Sequence, residues 1–256
     1  MKQRIVSYNV NGIRSAAKKG LLEFIGKVNP DVMCFQELKA RPQDLDESIL
    51  HPKGYRTYWH SAEKKGYSGV AIWSKEEPEH VEIGCGLEIY DREGRVIRAD
   101  FKDYSVMNIY LPSGTTGTER QTFKETFLDD FYGYVQDIRA RYPKLVICGD
   151  FNIAHTEIDI HNPVGNKKSS GFLPHERAWV TKFLESGFVD SFRMFHPEPD
   201  QYSWWSFRAA SRKRNKGWRI DYHMVTQELA THCRESLIHT DEVHSDHAAL
   251  ELHLEW

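Results

Sequence analysis

A set of polar residues ends or interrupts the short apolar runs of this 256-residue chain. Its members are Asn9, Asn11, Gln36, Glu37, Tyr110, Asp150, Asn152, Asp221, Asp246 and His247. Asparagine and aspartate beside glycine often only form turns, and a single pair such as Asn11-Gly12 is explained in that way. Turns do not require a glutamate, a tyrosine and a histidine as well. The whole set therefore predicts one polar site.

These residue types suit hydrolysis of a phosphate ester. An enzyme must lower the barrier of uncatalysed phosphodiester hydrolysis by about 20 kcal/mol, whereas one general acid or base contributes about 3–5 kcal/mol. A metal ion is therefore expected. Glu37 together with side-chain amides offers oxygen ligands, which suit Mg²⁺, with Mn²⁺ as a substitute, and which suit zinc poorly.

The side-chain chemistry also indicates roles around a phosphate. We expect His247 to hydrogen-bond the phosphate if a carboxylate holds its second ring nitrogen, and Asp221 is the candidate for that carboxylate. Asp150 is expected to orient or deprotonate the attacking water, and Asn152 to donate to a phosphate oxygen. A lone histidine before a strand is more often structural, so the assignment of His247 depends on its partner.

The apolar runs that must position these side chains are rich in valine, isoleucine and aromatic residues, and several alternate with period two. They predict strands at residues 5–10, 32–35, 70–73, 96–101, 106–111, 145–148, 220–225 and 248–254. Helices are predicted at residues 118–141 and from Pro174 to a stop at Gly187. Strand ends meet at one rim of an α/β sandwich, so residues distant in sequence can share a site there. No repeat or linker divides the chain, which predicts one α/β domain over residues 1–256.

The composition argues against several classes of protein. The net charge of −3 argues against coating nucleic acid by bulk charge, so any DNA contact must come from local patches. The four cysteines form no CxxC pair, which indicates neither a zinc site nor a disulfide framework and is typical of a reducing cytoplasm. The first residues do not resemble a signal peptide, and no apolar stretch approaches transmembrane length. We therefore expect a cytoplasmic protein without a membrane partner.

Seven motifs follow one another along the chain. They are Ser7-Tyr8-Asn9-Val10-Asn11-Gly12-Ile13-Arg14, Gln36-Glu37-Leu38-Lys39, Gly66-Tyr67-Ser68-Gly69-Val70, Gly149-Asp150-Phe151-Asn152, Asn166-Lys167-Lys168, Gly217-Trp218-Arg219-Ile220-Asp221-Tyr222 and Ser245-Asp246-His247. Each is weak alone, but the ordered set covers essentially the whole chain and resembles the exodeoxyribonuclease III-like apurinic/apyrimidinic endonucleases. The resemblance implies a four-layer α/β sandwich, with two β-sheets face to face and helices on the outside.

The resemblance also implies roles for the polar set. Glu37 would be the main metal ligand and Lys39 a supporting charge, while Asp246 would be a further polar or second-metal position. The candidate metal ligands are Asn9, Asn11, Glu37, Asp150, Asn152, Asp246 and His247. The number of metal ions stays open.

The phosphate would be surrounded by Tyr110, Asn152 and His247, with Asp150 handling the water and Asp221 holding His247. Whether Tyr110 serves the leaving oxygen also stays open.

The segment from Tyr202 to Tyr222 resembles the abasic-site pocket of the repair endonucleases. Trp204, Trp218 and Ile220 would wall a cavity for a sugar that lacks its base, and such a sugar flips out of the duplex easily because no pairing is lost. Ordinary core packing is the alternative role of these tryptophans. Basic residues around the pocket predict contacts with the DNA backbone. They are Arg14, Lys39, Lys64, Lys65, Lys167, Lys168, Arg208, Arg212, Lys213, Arg214, Lys216 and Arg219, together with Tyr67.

The predicted reaction is hydrolysis of the phosphodiester 5′ to an abasic site in double-stranded DNA, which leaves a 3′-hydroxyl. We also expect 3′-phosphatase or 3′-phosphodiesterase activity on blocked 3′ ends, and a monomeric enzyme. The balance with 3′-5′ exonuclease activity stays open, because Thr116 and Arg208 stand at positions that vary in the family and that touch the DNA helix. Asn11 stands where some members carry aspartate, which leaves its role as a direct metal ligand open, and Ser113 stands where many relatives have asparagine or glutamine, which leaves a transition-state contact there open. The alternatives are a phosphatase acting on a non-DNA phosphoester, which would need an apolar loop facing lipid, and a DNA-binding relative with weak activity.

Overall fold

The computed structural model describes residues 2–256 and contains two mixed six-stranded β-sheets. The strands in chain order are β1 Lys2–Asn9, β2 Val32–Gln36, β3 Arg56–His60, β4 Val70–Ser74, β5 His80–Ile83, β6 Val96–Asp100, β7 Ser105–Tyr110, β8 Leu145–Asp150, β9 Phe188–Asp190, β10 Asp221–Thr226, β11 Cys233–His239 and β12 Ala249–Glu255. The first sheet has the order β11-β12-β1-β2-β4-β3 and the second has the order β5-β6-β7-β8-β10-β9.

Most helices are short and lie between the strands. They are α1 Ile13–Ala17, α2 Leu21–Val28, α3 Glu47–Leu50, α4 Glu88–Asp91, α5 Thr118–Arg141, α6 Pro163–Asn166, α7 Pro174–Glu185, α8 Ser191–Phe195 and α9 Gln227–Ala230. Among residues 2–256, no helix is both long enough and apolar enough to cross a membrane.

Three apolar clusters hold four layers together. The two sheets pack against each other through side chains such as Ile5 and Val146, while α2 covers the outer face of the first sheet through residues such as Phe24. Helices α5 and α7 cover the outer face of the second sheet, where Phe127 and Phe183 are completely buried. The predicted four-layer sandwich is confirmed.

Each strand predicted from the sequence is present, with ends that differ by a few residues. The prediction missed β3, β5, β9 and β11, which are the edge strands of the two sheets. Edge strands are often short or charged and have one open side, so they lack the continuous apolar pattern of interior strands. The helix predicted at residues 118–141 has those bounds in the structure.

The strand directions bring the polar residues to one rim. Strand β1 is parallel to β2, and β7 is parallel to β8, so the carboxyl ends of all four strands point the same way within their sheets. Strand β10 runs antiparallel to β8 and begins with Asp221 opposite Asp150. Because Asn9 ends β1 and donates from Nδ2 to Oδ2 of Asp150 over 2.9 Å, the rims of the two sheets meet at this point.

Candidate active site

Asp150 ends β8, and the residue before it must be glycine because β7 approaches the backbone closely at that point. Gly149 has φ +135°, and a β-carbon there would lie 1.9 Å from the carbonyl oxygen of Ile109 on β7. Asn152 follows with φ +52°, in the left-handed region that residues other than glycine rarely adopt. Its backbone N–H donates to Oδ1 of Asp150 over 2.8 Å, and its side-chain Nδ2 donates to the carbonyl of Leu111 over 2.9 Å. The loop therefore holds both side chains in fixed orientations.

His247 is buried and is held by a carboxylate. Its Nδ1 lies 2.8 Å from Oδ2 of Asp221, which also accepts a hydrogen bond from the Ser203 hydroxyl over 2.6 Å. Burial by itself lowers the pKa of His247, but the carboxylates of Asp221 and Asp150 outweigh burial and raise it to about 10. The imidazole is then a cation at neutral pH and can donate from Nε2, which lies 3.8 Å from Oδ2 of Asp150.

Asp150 has a carboxyl group with an increased proton affinity. Burial raises the pKa of Asp150, and the nearby carboxylate of Asp221 raises it further, while His247 and the hydrogen bonds from Asn152 and Asn9 oppose the shift. A raised carboxyl pKa brings the group closer to the range in which a general base works efficiently near neutral pH.

Glu37, Asn11 and Asp246 line the cavity on the side of the first sheet. The Nζ atom of Lys39 lies 2.8 Å from Oε1 of Glu37 and donates to Oδ1 of Asn11 over 2.6 Å. Asn11 Nδ2 in turn donates to Oδ1 of Asp246 over 2.9 Å. Glu37 follows β2 with φ +55°, which turns it out of the strand. One oxygen atom each of Glu37 and Asn11 therefore converges on the positive charge of Lys39, with Asp246 beside them, and oxygen donors of this kind fit Mg²⁺.

A second arrangement of donors lies deeper in the rim. One ligand atom from each of Asp150, Asp221 and His247 can come within 4.8 Å of the others, so these residues could also hold a metal ion. However, Asp221 occupies one nitrogen of His247, and protonation would remove the lone pair of the other. The oxygen atoms of Glu37, Asn11 and Asp246 therefore fit a divalent metal ion better than this second set does.

A cavity of about 830 Å³ connects these groups with an aromatic wall. The indole rings of Trp204 and Trp218 meet edge to face with centroids 6.1 Å apart, and both are partly exposed. Two backbone hydrogen bonds join these residues, and Trp204 Nε1 donates to Oδ2 of Asp246 over 3.0 Å. Ile220 also lines the cavity. Trp205 is buried against Tyr202 and Ala248, as core packing requires. Trp204 and Trp218 also pack against a buried apolar cluster that includes Ile220, so they contribute to core packing as well as to the cavity wall.

Tyr110 lines the cavity at the end of β7, and Arg95 fixes its position. The guanidinium of Arg95 lies 4.9 Å from the centre of the Tyr110 ring and donates to the Tyr110 carbonyl over 2.7 Å. Burial raises the pKa of the Tyr110 hydroxyl well above its usual value, and Glu37 and Asp150 add to the rise. The hydroxyl is therefore a proton donor at neutral pH.

Several predicted substrate contacts lie outside this cavity, among them Arg14, Tyr67 and Arg208. Arg14 is exposed and lines a neighbouring groove with Lys18. Tyr67 receives a hydrogen bond from Arg95 over 2.9 Å, and Arg208 is exposed in the loop between Trp205 and Gly217. Arg14 and Arg208 are open to a ligand larger than the cavity, and Tyr67 is partly exposed beside it.

Two members of the predicted basic surface face inward instead. Arg219 is completely buried, with Nε 2.7 Å from Oδ1 of Asp159 and one terminal nitrogen 2.7 Å from Oδ2 of Asp190. Arg212 donates to the main-chain carbonyls of Thr240, Glu242, Ser245 and His247. The expectation of DNA contact was wrong for Arg219, which is completely buried, whereas for half-buried Arg212 it stays a prediction that these carbonyl contacts disfavour. A basic run does not reveal which side chains find buried acceptors.

The sequence reasoning also missed Lys124 and Glu176, a buried pair behind the cavity. A signal was present, because Lys124 stands three residues before Phe127 on the face of α5 that packs in the core. A charge at such a position requires a buried partner.

Comparisons with known proteins agree with this geometry. Residues 6–247 match the model of the Endonuclease/Exonuclease/phosphatase family. The chain is 41% identical over 251 residues to an exodeoxyribonuclease of Bacillus subtilis, which covers 97% of this chain and 98% of that protein.

Two solved structures are also similar. An AP endonuclease from Archaeoglobus fulgidus has a TM-score of 0.89 and 33% identity, and the match covers 99% of this chain and 100% of the other. A 3′ phosphatase from Neisseria, bound to a product DNA hairpin, has a TM-score of 0.92 and 29% identity, again over 99% and 100% of the two chains.

Proposed function

The chain belongs to the endonuclease/exonuclease/phosphatase family, in its exodeoxyribonuclease III-like branch, and from this premise we propose that it is a DNA-repair AP endonuclease. Its reaction is hydrolysis of the phosphodiester 5′ to an abasic site, which leaves a 3′-hydroxyl. The observation that carries the proposal is the position of the Trp204–Trp218 wall directly beside Asp150 and His247 in one cavity.

Asp150 acts on the attacking water in this proposal. Its raised pKa suits proton transfer, and the hydrogen bonds from Asn9 and the Asn152 backbone hold the carboxylate in place. Asn152 lines the same cavity, and its amide group would donate to a phosphate oxygen in place of its contacts with the Leu111 carbonyl and Oδ2 of Asp150.

His247 binds the phosphate as a cation, since Asp221 fixes its ring and raises its pKa. Tyr110 lies on the same cavity and can donate to an oxygen of the phosphate or to the leaving oxygen.

Glu37, Asn11 and Asp246 would hold Mg²⁺, with Asn9 as a further amide beside Asp150. A bound Mg²⁺ would polarise a phosphate oxygen and offset the charge of the leaving group. The ammonium group of Lys39 contacts Oε1 of Glu37 and Oδ1 of Asn11 and so helps to hold these two ligand atoms in place.

The aromatic wall selects the substrate. A sugar without a base can enter between Trp204, Trp218 and Ile220, whereas a nucleotide with its base is excluded by size. Arg14, Tyr67 and Arg208 lie outside the cavity and are open to the DNA backbone on either side of the lesion.

The same groups would also act on blocked 3′ ends. The Neisseria relative is described as a 3′ phosphatase, and a terminal 3′ phosphate presents the same reacting atoms as an internal phosphodiester. We therefore include 3′-phosphatase and 3′-phosphodiesterase activity. We also propose one catalytic domain over residues 1–256, because the site residues come from motifs along the whole of that range, and a cytoplasmic monomer, as the cysteine pattern leads us to expect.

A labelled DNA duplex with a single tetrahydrofuran site tests the proposal. Cleavage on the 5′ side of the site, dependent on Mg²⁺ and absent with an intact duplex, is the expected result. A protein that cleaves neither this duplex nor a 3′-phosphate end, but hydrolyses an inositol phosphate, would be a phosphatase of the same family instead.

A further inference from the structure

Lys124 and Glu176 form an ion pair that is completely buried behind the active-site cavity. Lys124 belongs to α5 and Glu176 to the first turn of α7, and the Nζ–Oε1 distance is 2.6 Å with both side chains 0% exposed. A buried ion pair often contributes no more stability than well-packed apolar side chains would. The pair is therefore better explained by what it holds in place.

The lysine holds the active-site loop. Lys124 Nζ donates to the main-chain carbonyl of Asn152 over 2.9 Å. Asn152 is in the left-handed conformation, which costs on the order of 1 kcal/mol and persists only where the surroundings enforce it. The carbonyl contact thus fixes the residue whose amide group lines the cavity.

The glutamate holds the neighbouring wall of the cavity. Glu176 Oε2 accepts hydrogen bonds from the backbone N–H groups of Gly171 over 2.6 Å and Leu173 over 3.0 Å. Gly171 has φ +90°, and a β-carbon there would lie 2.9 Å from the Asn152 carbonyl oxygen and 3.1 Å from the Trp218 ring. Gly171 therefore packs tightly between the active-site loop and the aromatic wall.

We propose that Lys124 and Glu176 are positioning residues for the hydrolysis, because together they fix Asn152 against Gly171 beside Trp218. Both side chains are fully buried, so they act through these backbone groups and not on the substrate. The inference rests on the proposed function for its kinetic readout, but the position of Asn152 can be measured independently.

The double variant Lys124→Met/Glu176→Gln tests the proposal. The glutamine can still accept a hydrogen bond from Gly171, and no unpaired charge remains, so the fold should be retained. The hydrogen bond to the Asn152 carbonyl is lost. Since a displacement of about 1 Å can cost roughly 10²-fold in rate, kcat on the tetrahydrofuran duplex should fall at least about tenfold, while KM changes less than about threefold. A crystal structure should show Asn152 displaced or its φ changed.

The buried pair Arg98–Asp100 on β6 is the matched control. Arg98→Met/Asp100→Asn removes a similar pair away from the site, and kcat should remain within about twofold of wild type. A kcat for Lys124→Met/Glu176→Gln within twofold of wild type would overturn the proposal, and so would an unmoved Asn152 in its crystal structure. If the wild type does not cleave abasic DNA, the proposed function fails, and the crystal structure alone then decides the positioning role.

Lys124→Gln/Glu176→Gln provides a second variant if the first double variant does not fold. The two amide groups can hydrogen-bond each other, but glutamine is one atom shorter than Lys124 and draws back from the Asn152 carbonyl, so kcat should again fall at least about tenfold while KM changes less than about threefold. A kcat within twofold of wild type in this folded variant would overturn the proposal.

Discussion

The Nδ1 atom of His247 lies 2.8 Å from Oδ2 of Asp221, and both side chains are almost completely buried. Oδ2 of Asp221 also accepts a hydrogen bond from the Ser203 hydroxyl. The other carboxylate oxygen, Oδ1, lies 3.1 Å from the same Nδ1 atom of His247. Asp221 thus fixes the ring orientation of His247 and favours its protonated form.

Removal of either partner should therefore have a similar effect. We expect His247→Ala and Asp221→Asn each to lower kcat on the order of 10²-fold or more, as removal of a single donor to the reacting group does. The double variant should be little worse than either single one, because residues that act as a unit are not additive. Steady-state kinetics on the tetrahydrofuran duplex measure this, and multiplicative losses would show that the two residues act independently.

Metal dependence should follow from the oxygen atoms around Glu37. Activity should disappear in EDTA and return with Mg²⁺ or Mn²⁺, and Glu37→Gln should require a higher metal concentration because it removes a negative ligand. Activity as a function of Mg²⁺ concentration provides the measurement. Glu79→Gln, at an exposed glutamate, is the control and should titrate like wild type. Full activity in EDTA would refute the metal assignment.

The aromatic wall should control substrate choice. Trp218→Ala and Trp204→Ala enlarge the cavity, so the ratio of rates on abasic and intact DNA should fall. Truncation of a buried aromatic can cost about 3–5 kcal/mol of stability, so the proteins must be shown to be folded. Trp179→Ala, at a residue of α7 whose side chain packs in the core, should lose stability but keep the ratio. An unchanged ratio in folded Trp218→Ala and Trp204→Ala would remove these residues from the pocket.

Arg212 and Lys213 are neighbours in sequence but should behave differently. Arg212 holds the carbonyls of the segment that ends at His247, so Arg212→Lys should lower kcat and leave the salt dependence of KM nearly unchanged. Lys213 is exposed, and Lys213→Met should raise KM and reduce the slope of its salt dependence by about one. Kinetics at several salt concentrations distinguish the two. A reduced salt slope in Arg212→Lys would indicate a direct phosphate contact.

The buried carboxylate of Asp159 should make stability depend on pH. Burial raises its pKa, but Arg219 and Arg193 outweigh burial and hold the pKa well below its usual value. The folded state therefore binds the proton more weakly than the unfolded state. The stabilisation is fully present above the unfolded carboxyl pKa of about 4, and it is lost as the pH falls toward the folded value.

Asp159→Asn should cost about 3–5 kcal/mol at pH 7, because it leaves buried Arg219 with less compensation. It should also show a weaker loss of stability between pH 5 and 3. Denaturant unfolding across this range measures both effects. Asp129→Asn, at an exposed position on α5, should keep the wild-type pH dependence. Equal pH dependence in Asp159→Asn and wild type would contradict the assignment.

The sequence by itself determined the interior strands and most residues of the rim. Interior strands are buried on both sides and carry continuous apolar runs, so polar residues such as Asn9, Asp150 and Asp221 stand out at their ends. The ordered motifs then indicated the family and the aromatic wall. Edge strands such as β11 were not predicted, because their exposed side allows polar residues such as Arg234 and Glu235, which interrupt the apolar pattern.

Only the tertiary structure decided which charged side chains face the ligand. Arg212 and Arg219 lie in the same basic segment as Lys213, yet the first two turn inward to acceptors from distant parts of the chain. The pairing of Lys124 with Glu176 joins residues 52 positions apart. Local sequence patterns report how buried a segment is, whereas the partner of a buried charge depends on how separate segments pack.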